Sequence, residues 1–312
     1  MTITPITGVV PPVCTPLTPE LDVDTASLER LVAFLVEAGV DGLFVLGSSG
    51  EAAYLTDRQR ADVLAVTTSV AAGRVPVLAG AIDMTAPRVL EHARTAARAG
   101  ADAVVATAPF YTRTHPAEIE YHFRTVAGGV DVPLYAYDLP VSVHTKLPAR
   151  LLLALADDGV VTGVKDSSGD DAGLRRLLRL RSDRGEGGGR RPVVLTGSEL
   201  TVDNALANGA DGVVPGLGNV DPHGYVALAR HVRDGDLKSA AGEQDRLADL
   251  FGIVDAGDPD RIGPSSAGLG AFKAALHLRG IIDCPATMPP QLPLTEQEIG
   301  TIRTLLDRAG LL

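Results

Sequence analysis

The chain has 312 residues, of which 45% are hydrophobic and 21% are charged. Its length allows one large α/β barrel or two smaller domains, and its composition excludes disordered, collagen-like and disulfide-scaffold proteins. The net charge of −11, with no basic residue before Arg30, argues against nucleic acid as a partner, because phosphate backbones attract basic surfaces.

Short β-branched or apolar runs alternate along the chain with longer segments of helical period. This alternation is typical of parallel strands inside and helices outside. The helical segments include residues 25–38, 56–72 and 86–99. Eight runs are predicted as strands, at residues 8–13, 42–46, 75–79, 103–106, 133–137, 160–164, 192–195 and 212–214. Eight strand and helix units predict an α/β protein with the TIM (β/α)8 barrel fold.

After the eighth strand, helical patterns recur near residues 222–232, 237–254, 268–278 and 295–309. Only the first of these is needed to complete a barrel. We therefore predict two parts, a (β/α)8 barrel over residues 1–232 and a C-terminal helical extension over residues 233–312. The segment SDRGEGGGRR, residues 182–191, is predicted as a flexible loop on the face opposite the catalytic mouth.

The two cysteines, Cys14 and Cys284, lie far apart and outside any CxxC or Cys/His spacing, so neither a disulfide framework nor a zinc site is expected. The first residues lack the charged start and unbroken apolar run of a signal peptide. No window reaches the roughly 18 apolar residues of a membrane span. We expect a cytoplasmic protein without a membrane partner.

Catalytic groups in a TIM barrel stand at the carboxyl ends of strands and in the loops that follow, which singles out one of the four lysines. Lys165 ends the run GVVTGVK of the sixth predicted strand. Partial desolvation there disfavours the ammonium form and frees the amine to attack a carbonyl, whereas an ion pair with Asp166 or another strand-end carboxylate is the structural alternative. Lys146, Lys238 and Lys273 fall in a loop or on helices, where solvated or interface roles are expected.

Two other predicted strands end in residues suited to anion binding or acid–base chemistry. LGSSGE, residues 46–51, follows the second strand, and its hydroxyls and glycine-lined backbone can donate hydrogen bonds to a carboxylate or oxyanion. YAYDLP, residues 135–140, ends the fifth strand with Tyr137 nearest the mouth, where a phenol can donate and accept protons. A polar turn and a buried core tyrosine are the structural alternatives.

Five motifs occur in order with matching separations: GSSGE at 47–51, PFY at 109–111, YDLP at 137–140, GVKDSSGD at 163–170 and TGSE at 196–199. Together they resemble the dihydrodipicolinate synthase and N-acetylneuraminate lyase family of class I, pyruvate-linked lyases. The similarity covers most of the chain. It implies a homotetramer or homodimer that acts on a keto acid, pyruvate, and an aldehyde. It also implies no metal and no cofactor, because the substrate is held as a covalent imine on the protein.

The resemblance assigns an expected role to four residues of the proton relay. Lys165 matches the Schiff-base lysine of the family, and Tyr137 matches its catalytic tyrosine. Ser48 matches the hydroxyl that relays protons with that tyrosine. Tyr111 matches a tyrosine that a neighbouring subunit supplies to the relay in many members.

Three further positions match the pyruvate site of the family. Ser49 matches the hydroxyl that holds the carboxylate of pyruvate. Backbone groups of Gly197 and Val214 match those that flank the pyruvyl unit.

The expected substrate follows from a departure from the family pattern. Dihydrodipicolinate synthases usually carry an arginine two residues beyond the YNxP-type tetrapeptide, where it binds the carboxylate of aspartate semialdehyde. This chain has Ser142 there and no arginine between Arg124 and Arg150. A hydroxyl at that position, with Ser167 and Glu199 nearby, suits a polyhydroxylated acceptor. We therefore expect a 2-keto-3-deoxy sugar acid aldolase, with 4-hydroxy-tetrahydrodipicolinate synthase as the alternative.

Three other interpretations stay open. A metal-dependent aldolase needs His or carboxylate ligands at the mouth, and the seven histidines show no H-x-x-x-H spacing. The segment PGLGN, residues 215–219, follows the eighth strand, where TIM barrels often bind phosphate, although its glycines also suit a tight turn. A non-catalytic barrel that only binds a keto acid is disfavoured, because such a protein needs no proton relay.

Overall fold

Eight parallel strands form the centre of the structure, a computed structural model that describes residues 5–184 and 189–312. Residues 185–188, within the predicted loop 182–191, lie outside the described residues. In chain order the strands are β1 (Gly8–Val9), β2 (Leu43–Val45), β3 (Val77–Gly80), β4 (Ala103–Thr107), β5 (Leu134–Asp138), β6 (Gly163–Asp166), β7 (Val193–Thr196) and β8 (Gly212–Val213).

Helices follow the strands along the chain. They are α1 (Thr25–Glu37), α2 (Asp57–Ala71), α3 (Ala86–Arg98), α4 (Pro116–Ala127), α5 (Pro140–Val143), α6 (Ala149–Asp157), α7 (Asp171–Ser182), α8 (Val202–Ala207), α9 (Pro222–Arg233), α10 (Leu237–Phe251), α11 (Pro264–Leu278) and α12 (Glu296–Arg308). Short 3-10 turns at Gly216–Asn219 and Gly252–Asp255 follow β8 and α10.

The strands pair in the order β1, β8, β7, β6, β5, β4, β3, β2, so β2 to β8 follow one another in sequence and β1 pairs with β8. A parallel bridge between Pro12 and Phe44 connects the two ends of this sheet. The N–H of Val13 donates to the Phe44 carbonyl at 2.9 Å, which reinforces the closure. Residues 8–13 were predicted as one strand, but β1 ends at Val9 because the prolines that follow lack the N–H that a ladder needs. The TIM barrel prediction is confirmed.

The strands separate an interior cluster from a larger outer core packed beneath the helices. Because successive side chains of a strand point to opposite faces, Tyr135 and Tyr137 both enter the interior cluster. Tyr135 is the core tyrosine of the pair, since its hydroxyl accepts a hydrogen bond from the N–H of Ile6 at 3.2 Å. A Cβ on Gly163 would lie 2.3 Å from the Tyr135 ring, so the neighbouring strand needs glycine at that position.

The last three helices differ at their ends from the predicted segments. Helix α10 ends at Phe251, and the chain continues to Asp255 as a 3-10 turn. Helix α11 begins at Pro264, before the predicted start at residue 268, because proline is well suited to a first helical turn. Helix α12 begins after Thr295, whose hydroxyl accepts from the N–H of Glu298 in a capping box. Within the described ranges, no helix is long and apolar enough to cross a membrane.

Candidate active site

A cavity of about 510 Å³ opens where the carboxyl ends of the strands meet the C-terminal helices. Pockets that hold small-molecule ligands typically measure about 300–1,000 Å³. The barrel side of the wall includes Ser48, Ser49, Ile82, Thr107, Phe110, Leu139, Ser142 and Glu199. The side formed by the C-terminal helices and the segment between them includes Phe251, Val254, Ser265, Leu269, Phe272 and Gln291.

Lys165 and Tyr137 lie side by side on β6 and β5, where they are register partners. The Lys165 Nζ atom lies 4.0 Å from the centre of the Tyr137 ring and 4.7 Å from the centre of the Phe44 ring. Both side chains are buried, with Lys165 only 5% exposed. The aromatic faces attract a cation. Because the amine and the phenol lie this close together, both can act on one bound molecule.

The Tyr137 hydroxyl connects this pair to the cavity through Ser48. Its oxygen lies 3.4 Å from the Ser48 Oγ atom, and Ser48 lines the cavity. Catalytic hydrogen bonds are often this long in unliganded enzymes and shorten when substrate binds. Burial raises the pKa of Tyr137, but the charge of Lys165 and hydrogen bonds with Ser48, Lys165 and Ser167 outweigh burial and lower the pKa below its ordinary value. The phenol therefore gives up its proton more readily than a free tyrosine.

The loop that carries Ser48 and Ser49 is tightly folded. Leu46 and Glu51, which flank the loop, both have a φ of 56°, in the left-handed region that most side chains avoid. A Cβ on Gly80 would lie 1.9 Å from the Leu46 carbonyl oxygen, so β3 needs glycine where it passes this loop. The backbone thus fixes two serine hydroxyls on the cavity wall.

Glu51 anchors the same loop to the C-terminal helices. Its carboxylate forms a buried ion pair with Lys273 of α11 and accepts a hydrogen bond from the N–H of Met288 at 2.7 Å. The Lys273 ammonium also donates to the Ala286 carbonyl at 2.7 Å. The expected solvated or interface role of Lys273 is wrong, because its side chain is 0% exposed. The signal in the sequence was a single charge inside the otherwise apolar run GLGAFKAAL.

Lys146 lies against two carboxylates on the outer face of β5 and β6. It forms an ion pair with Asp138 and approaches Asp166 at 3.5 Å. Burial lowers the pKa of Lys146, but the hydrogen bond to Asp138 and the charges of both carboxylates outweigh burial and raise it. The Lys146 side chain is 37% exposed, so it is solvated in part while it pairs with carboxylates of its own chain, and an interface role stays a prediction.

The alternative interpretation of Lys165 as the ion-pair partner of Asp166 is also wrong within the described residues. Alternation along β6 turns the two side chains to opposite faces of the barrel wall. Asp166 instead accepts hydrogen bonds from the N–H and the hydroxyl of Ser168, at 2.9 and 2.6 Å. Lys165 is thus left on the interior side, next to Tyr137.

Glu199, predicted as a substrate-binding residue, lines the cavity and binds the turn after β8. Its carboxylate accepts hydrogen bonds from the N–H groups of Gly216 and Leu217, at 3.0 and 2.8 Å, and from the Tyr225 hydroxyl at 3.0 Å. Burial raises the pKa of Glu199 to about 7 in spite of these donors. The turn lies in the segment 215–219, and the N–H groups that could bind a phosphate there already bind Glu199. This geometry disfavours the phosphate interpretation.

Among the other predicted substrate-binding residues, Ser142 lines the cavity, and three others lie at the carboxyl ends of β6, β7 and β8. Ser142 is exposed on α5 and lines the cavity. Ser167 follows β6, and a Cβ on Gly197 would lie 1.9 Å from its Oγ atom, so the two strand ends approach closely here. The N–H of Gly197 donates to the Asp166 carbonyl at 2.7 Å. Val214 is buried in the interior cluster at the end of β8.

Tyr111 stands apart from the other predicted residues. Its side chain is 90% exposed and is not part of the cavity wall of its own chain. Its φ of 72° places a bulky residue in the left-handed region, which costs on the order of 1–3 kcal/mol and is found mostly at functional positions. The loop therefore presents Tyr111 outward.

The histidines and carboxylates of the described segments form no group of three or more His, Cys, Asp or Glu side chains that could hold a metal ion. His92 lies 3.0 Å from Asp83 at its Nε2 atom. His122 is buried in α4, and burial lowers its pKa to about 4. Neither histidine lines the cavity.

The chain matches one family model over residues 5–309, that of the dihydrodipicolinate synthetase family. The 4-hydroxy-tetrahydrodipicolinate synthase of Kineococcus radiotolerans is 32% identical over 308 residues, which are 98% of this chain and 94% of that protein. The putative 2-dehydro-3-deoxy-D-gluconate aldolase YagE of Escherichia coli K12 is 31% identical over 308 residues, which are 98% of this chain and 97% of YagE.

Among solved structures, the chain is similar to the crystal structure of Escherichia coli YagE in complex with pyruvate. The two chains superpose with a TM-score of 0.89 and 31% sequence identity. The similarity covers 98% of this chain and 99% of that one.

Proposed function

The chain belongs to the dihydrodipicolinate synthetase family of Schiff-base-forming lyases, and on this premise we propose that it is a class I aldolase for a 2-keto-3-deoxy sugar acid. The observation that carries the proposal is the register pair of Lys165 and Tyr137, with Ser48 within reach of the phenol. A nucleophile and an acid–base group at this distance suit imine chemistry better than simple binding. A protein that only binds a keto acid would not need this pair of side chains.

In the proposed reaction, the neutral amine of Lys165 attacks the keto carbon of the substrate, and loss of water gives a protonated imine. Removal of the proton from the C4 hydroxyl then breaks the bond between C3 and C4. The aldehyde leaves, and the electron pair of the broken bond moves towards the iminium to give an enamine of pyruvate. Protonation of the enamine at C3 and attack of water on the imine carbon release pyruvate and restore the amine.

We assign the proton transfer at the C4 hydroxyl to Tyr137. Its lowered pKa makes the phenolate more accessible as a base, and Ser48 lies on the side from which the proton can be passed to solvent. Ser49 is proposed to hold the carboxylate of the pyruvyl unit, because it lines the cavity in the same glycine-bounded loop. Backbone groups of Gly197 and Val214 are proposed to flank the pyruvyl unit at the ends of β7 and β8.

We further propose that the enzyme is a homo-oligomer in which Tyr111 completes the relay of a neighbouring subunit. Its outward position and left-handed backbone support this role, since the side chain contributes nothing to the cavity of its own chain. Whether the assembly is a dimer or a tetramer is decided by measuring its mass in solution.

The sugar acid proposal rests on the polar groups of the rim. Ser142 places a hydroxyl on the cavity wall. An arginine would be needed at this position to bind a distal carboxylate through a bidentate, charge-assisted pair. Ser167 and Glu199 add acceptors for substrate hydroxyls. Similarity to YagE favours this substrate, whereas similarity to the Kineococcus synthase supports condensation of pyruvate with aspartate semialdehyde as the second candidate.

A substrate panel tests the proposal. Pyruvate release is measured from 2-keto-3-deoxygluconate, N-acetylneuraminate and 4-hydroxy-2-ketoglutarate, alongside condensation of pyruvate with aspartate semialdehyde. We expect the highest kcat/KM with 2-keto-3-deoxygluconate. Condensation with aspartate semialdehyde that matches or exceeds every cleavage reaction would support the synthase instead. A protein that turns over none of them and forms no reducible pyruvate adduct would be a binder.

A further inference from the structure

Two buried polar groups on the cavity wall lack a hydrogen-bond partner. Among the residues that the structure describes, buried side-chain nitrogen or oxygen atoms without a partner occur in Arg60, Thr67, Thr107, Thr114, His122, Arg181 and Gln291. Of these, Thr107 and Gln291 line the cavity. Because an unpaired buried polar group costs stability, such a group on the wall of a binding cavity points to a partner supplied by a ligand.

Thr107 belongs to the row of side chains that contains the proposed reacting groups. It is the last residue of β4 and the register partner of Tyr137, which is in turn the register partner of Lys165. Alternation along β4 places Thr107 on the interior side, with Val105. Its side chain is 1% exposed and its hydroxyl is buried, and rotation of χ1 to another staggered rotamer would bring the hydroxyl to the present position of the methyl group. A threonine hydroxyl both donates and accepts, so it can pair with a substrate hydroxyl.

Gln291 lies on the opposite wall, in the segment between α11 and α12. It is 9% exposed, and its Oε1 atom accepts no hydrogen bond from the described residues. Its N–H donates to the Met288 carbonyl at 3.1 Å, and Met288 is bound through its own N–H to Glu51. The backbone at Gln291 is therefore fixed relative to the loop that carries Ser48.

The surroundings of Gln291 are largely apolar. Phe251, Val254, Leu269 and Phe272 line the same wall, where Gln291 and Ser265 are the polar side chains named. In ligand sites, a few polar groups on an apolar wall fix the orientation of the ligand. A carboxamide offers both a donor and an acceptor, which suits a hydroxyl group better than a charged group.

We propose that Thr107 and Gln291 bind two hydroxyl groups of the aldehyde fragment of a polyhydroxylated substrate. Thr107 contacts the hydroxyl group of this fragment that lies nearest the cleaved bond, because Thr107 adjoins Tyr137. Gln291 contacts the far end of the fragment, because it faces the barrel from the C-terminal helices. This inference rests on the proposed aldolase function and adds two specificity-determining residues to it.

Condensation of pyruvate with aldehydes of increasing length tests both contacts. The series is glycolaldehyde, glyceraldehyde and erythrose, which lengthen by one hydroxylated carbon at a time. Thr107→Val is expected to lower kcat/KM by about tenfold with every member, because one hydrogen bond contributes roughly that factor. Gln291→Leu is expected to lower kcat/KM by about tenfold with erythrose and by less than twofold with glycolaldehyde.

Thr67→Val is the matched control, since Thr67 is also buried and unpaired but lies on α2, away from the cavity. It should keep wild-type kinetics. All three variants should unfold at or above the wild-type temperature, because each loses an unpaired polar group. Borohydride reduction with pyruvate should give the wild-type amount of adduct in each, which shows that the imine site is intact.

The outcomes separate the contacts from the function on which they rest. Wild-type kinetics in Thr107→Val, or adduct loss in that variant, would overturn the contact of Thr107. A loss in Gln291→Leu that is equal for all three aldehydes, or no loss, would overturn the contact of Gln291. If the wild type forms the pyruvate adduct but condenses none of the aldehydes, the proposed sugar acid function is wrong. The contacts proposed for Thr107 and Gln291 are then wrong as well.

Discussion

Tyr137 and Lys165 face each other across the register of β5 and β6, with the lysine nitrogen 4.0 Å from the centre of the tyrosine ring. One residue further along, Asp138 and Asp166 form the next register pair, and Lys146 contacts both carboxylates. Because side chains alternate along a strand, Tyr137 and Lys165 point into the barrel, whereas the Asp138 and Asp166 carboxylates point outward. A shift of register would displace both sets together.

Replacement of Lys165 by alanine is expected to abolish turnover, because no other lysine of the described residues lies on the interior side of β6. Mass spectrometry after borohydride reduction with pyruvate should show one adduct per wild-type chain, mapped to the peptide with Lys165, and none in Lys165→Ala. Lys238→Ala, which changes an exposed lysine on α10, serves as the control and should keep wild-type activity. An adduct on Lys146, Lys238 or Lys273 would contradict the assignment.

Tyr137→Phe removes the hydroxyl and keeps the ring that contacts Lys165. A positioned acid–base group contributes about a hundred- to ten-thousandfold, so kcat should fall within that range. Steady-state kinetics together with borohydride trapping would test this, and the trapped adduct should still form. A variant as active as the wild type would exclude Tyr137 from the proton relay.

Ser142→Arg is expected to raise kcat/KM for condensation with aspartate semialdehyde and to lower it for the sugar acid, because a guanidinium binds a carboxylate in a bidentate pair. Coupled assays of both reactions measure the two changes. Val141→Arg is the matched control, since Val141 lies beside Ser142 on α5 but is exposed and does not line the cavity. Equal effects of the two substitutions would mean that position 142 does not select the substrate.

Lys273→Met is expected to lower the free energy of unfolding by about 3–5 kcal/mol, because it leaves the Glu51 carboxylate buried without its ion pair. Urea denaturation of Lys273→Met and of the double variant Glu51→Gln with Lys273→Met measures the effect. The double variant should recover part of the loss, since its buried charge is gone. Lys238→Met should stay within about 0.5 kcal/mol of the wild type. A similarly small loss in Lys273→Met would refute the anchoring role.

The raised pKa of Glu199 predicts a pH dependence of stability. Burial raises this pKa from 4.5 to about 7, so the folded protein binds the proton more tightly than the unfolded chain. The stabilising contribution is fully present below about pH 4.5 and is lost as the pH rises to about 7. Glu199→Gln should remove this slope, which is at most about 1.4 kcal/mol per pH unit. Urea denaturation from about pH 4.5 to pH 8 tests it, and identical slopes in both proteins would be the contrary result.

The barrel and the location of Lys165 and Tyr137 could be predicted because their signals are local. Strand period, helix period and position at a strand end are all visible within about ten residues of sequence. The ion pair of Glu51 and Lys273 could not be predicted, since it joins residues whose neighbours in sequence give no sign of each other. The loop position of Lys146 is a local signal, but its ion pairs with Asp138 and Asp166 depend on how that loop packs against β5 and β6. Such contacts are set by tertiary packing alone.

The anchor between Glu51 and Lys273 has a consequence for the order of synthesis. The two residues are 222 positions apart in the chain, and Met288, the other partner of Glu51, is 237 positions away. A chain emerges from the ribosome amino terminus first. The partners of Glu51 are therefore synthesised only after most of the chain has been translated. The loop with Ser48 and Ser49 therefore takes its final form only near chain release. A nascent barrel is catalytically incomplete until its last helices have been made.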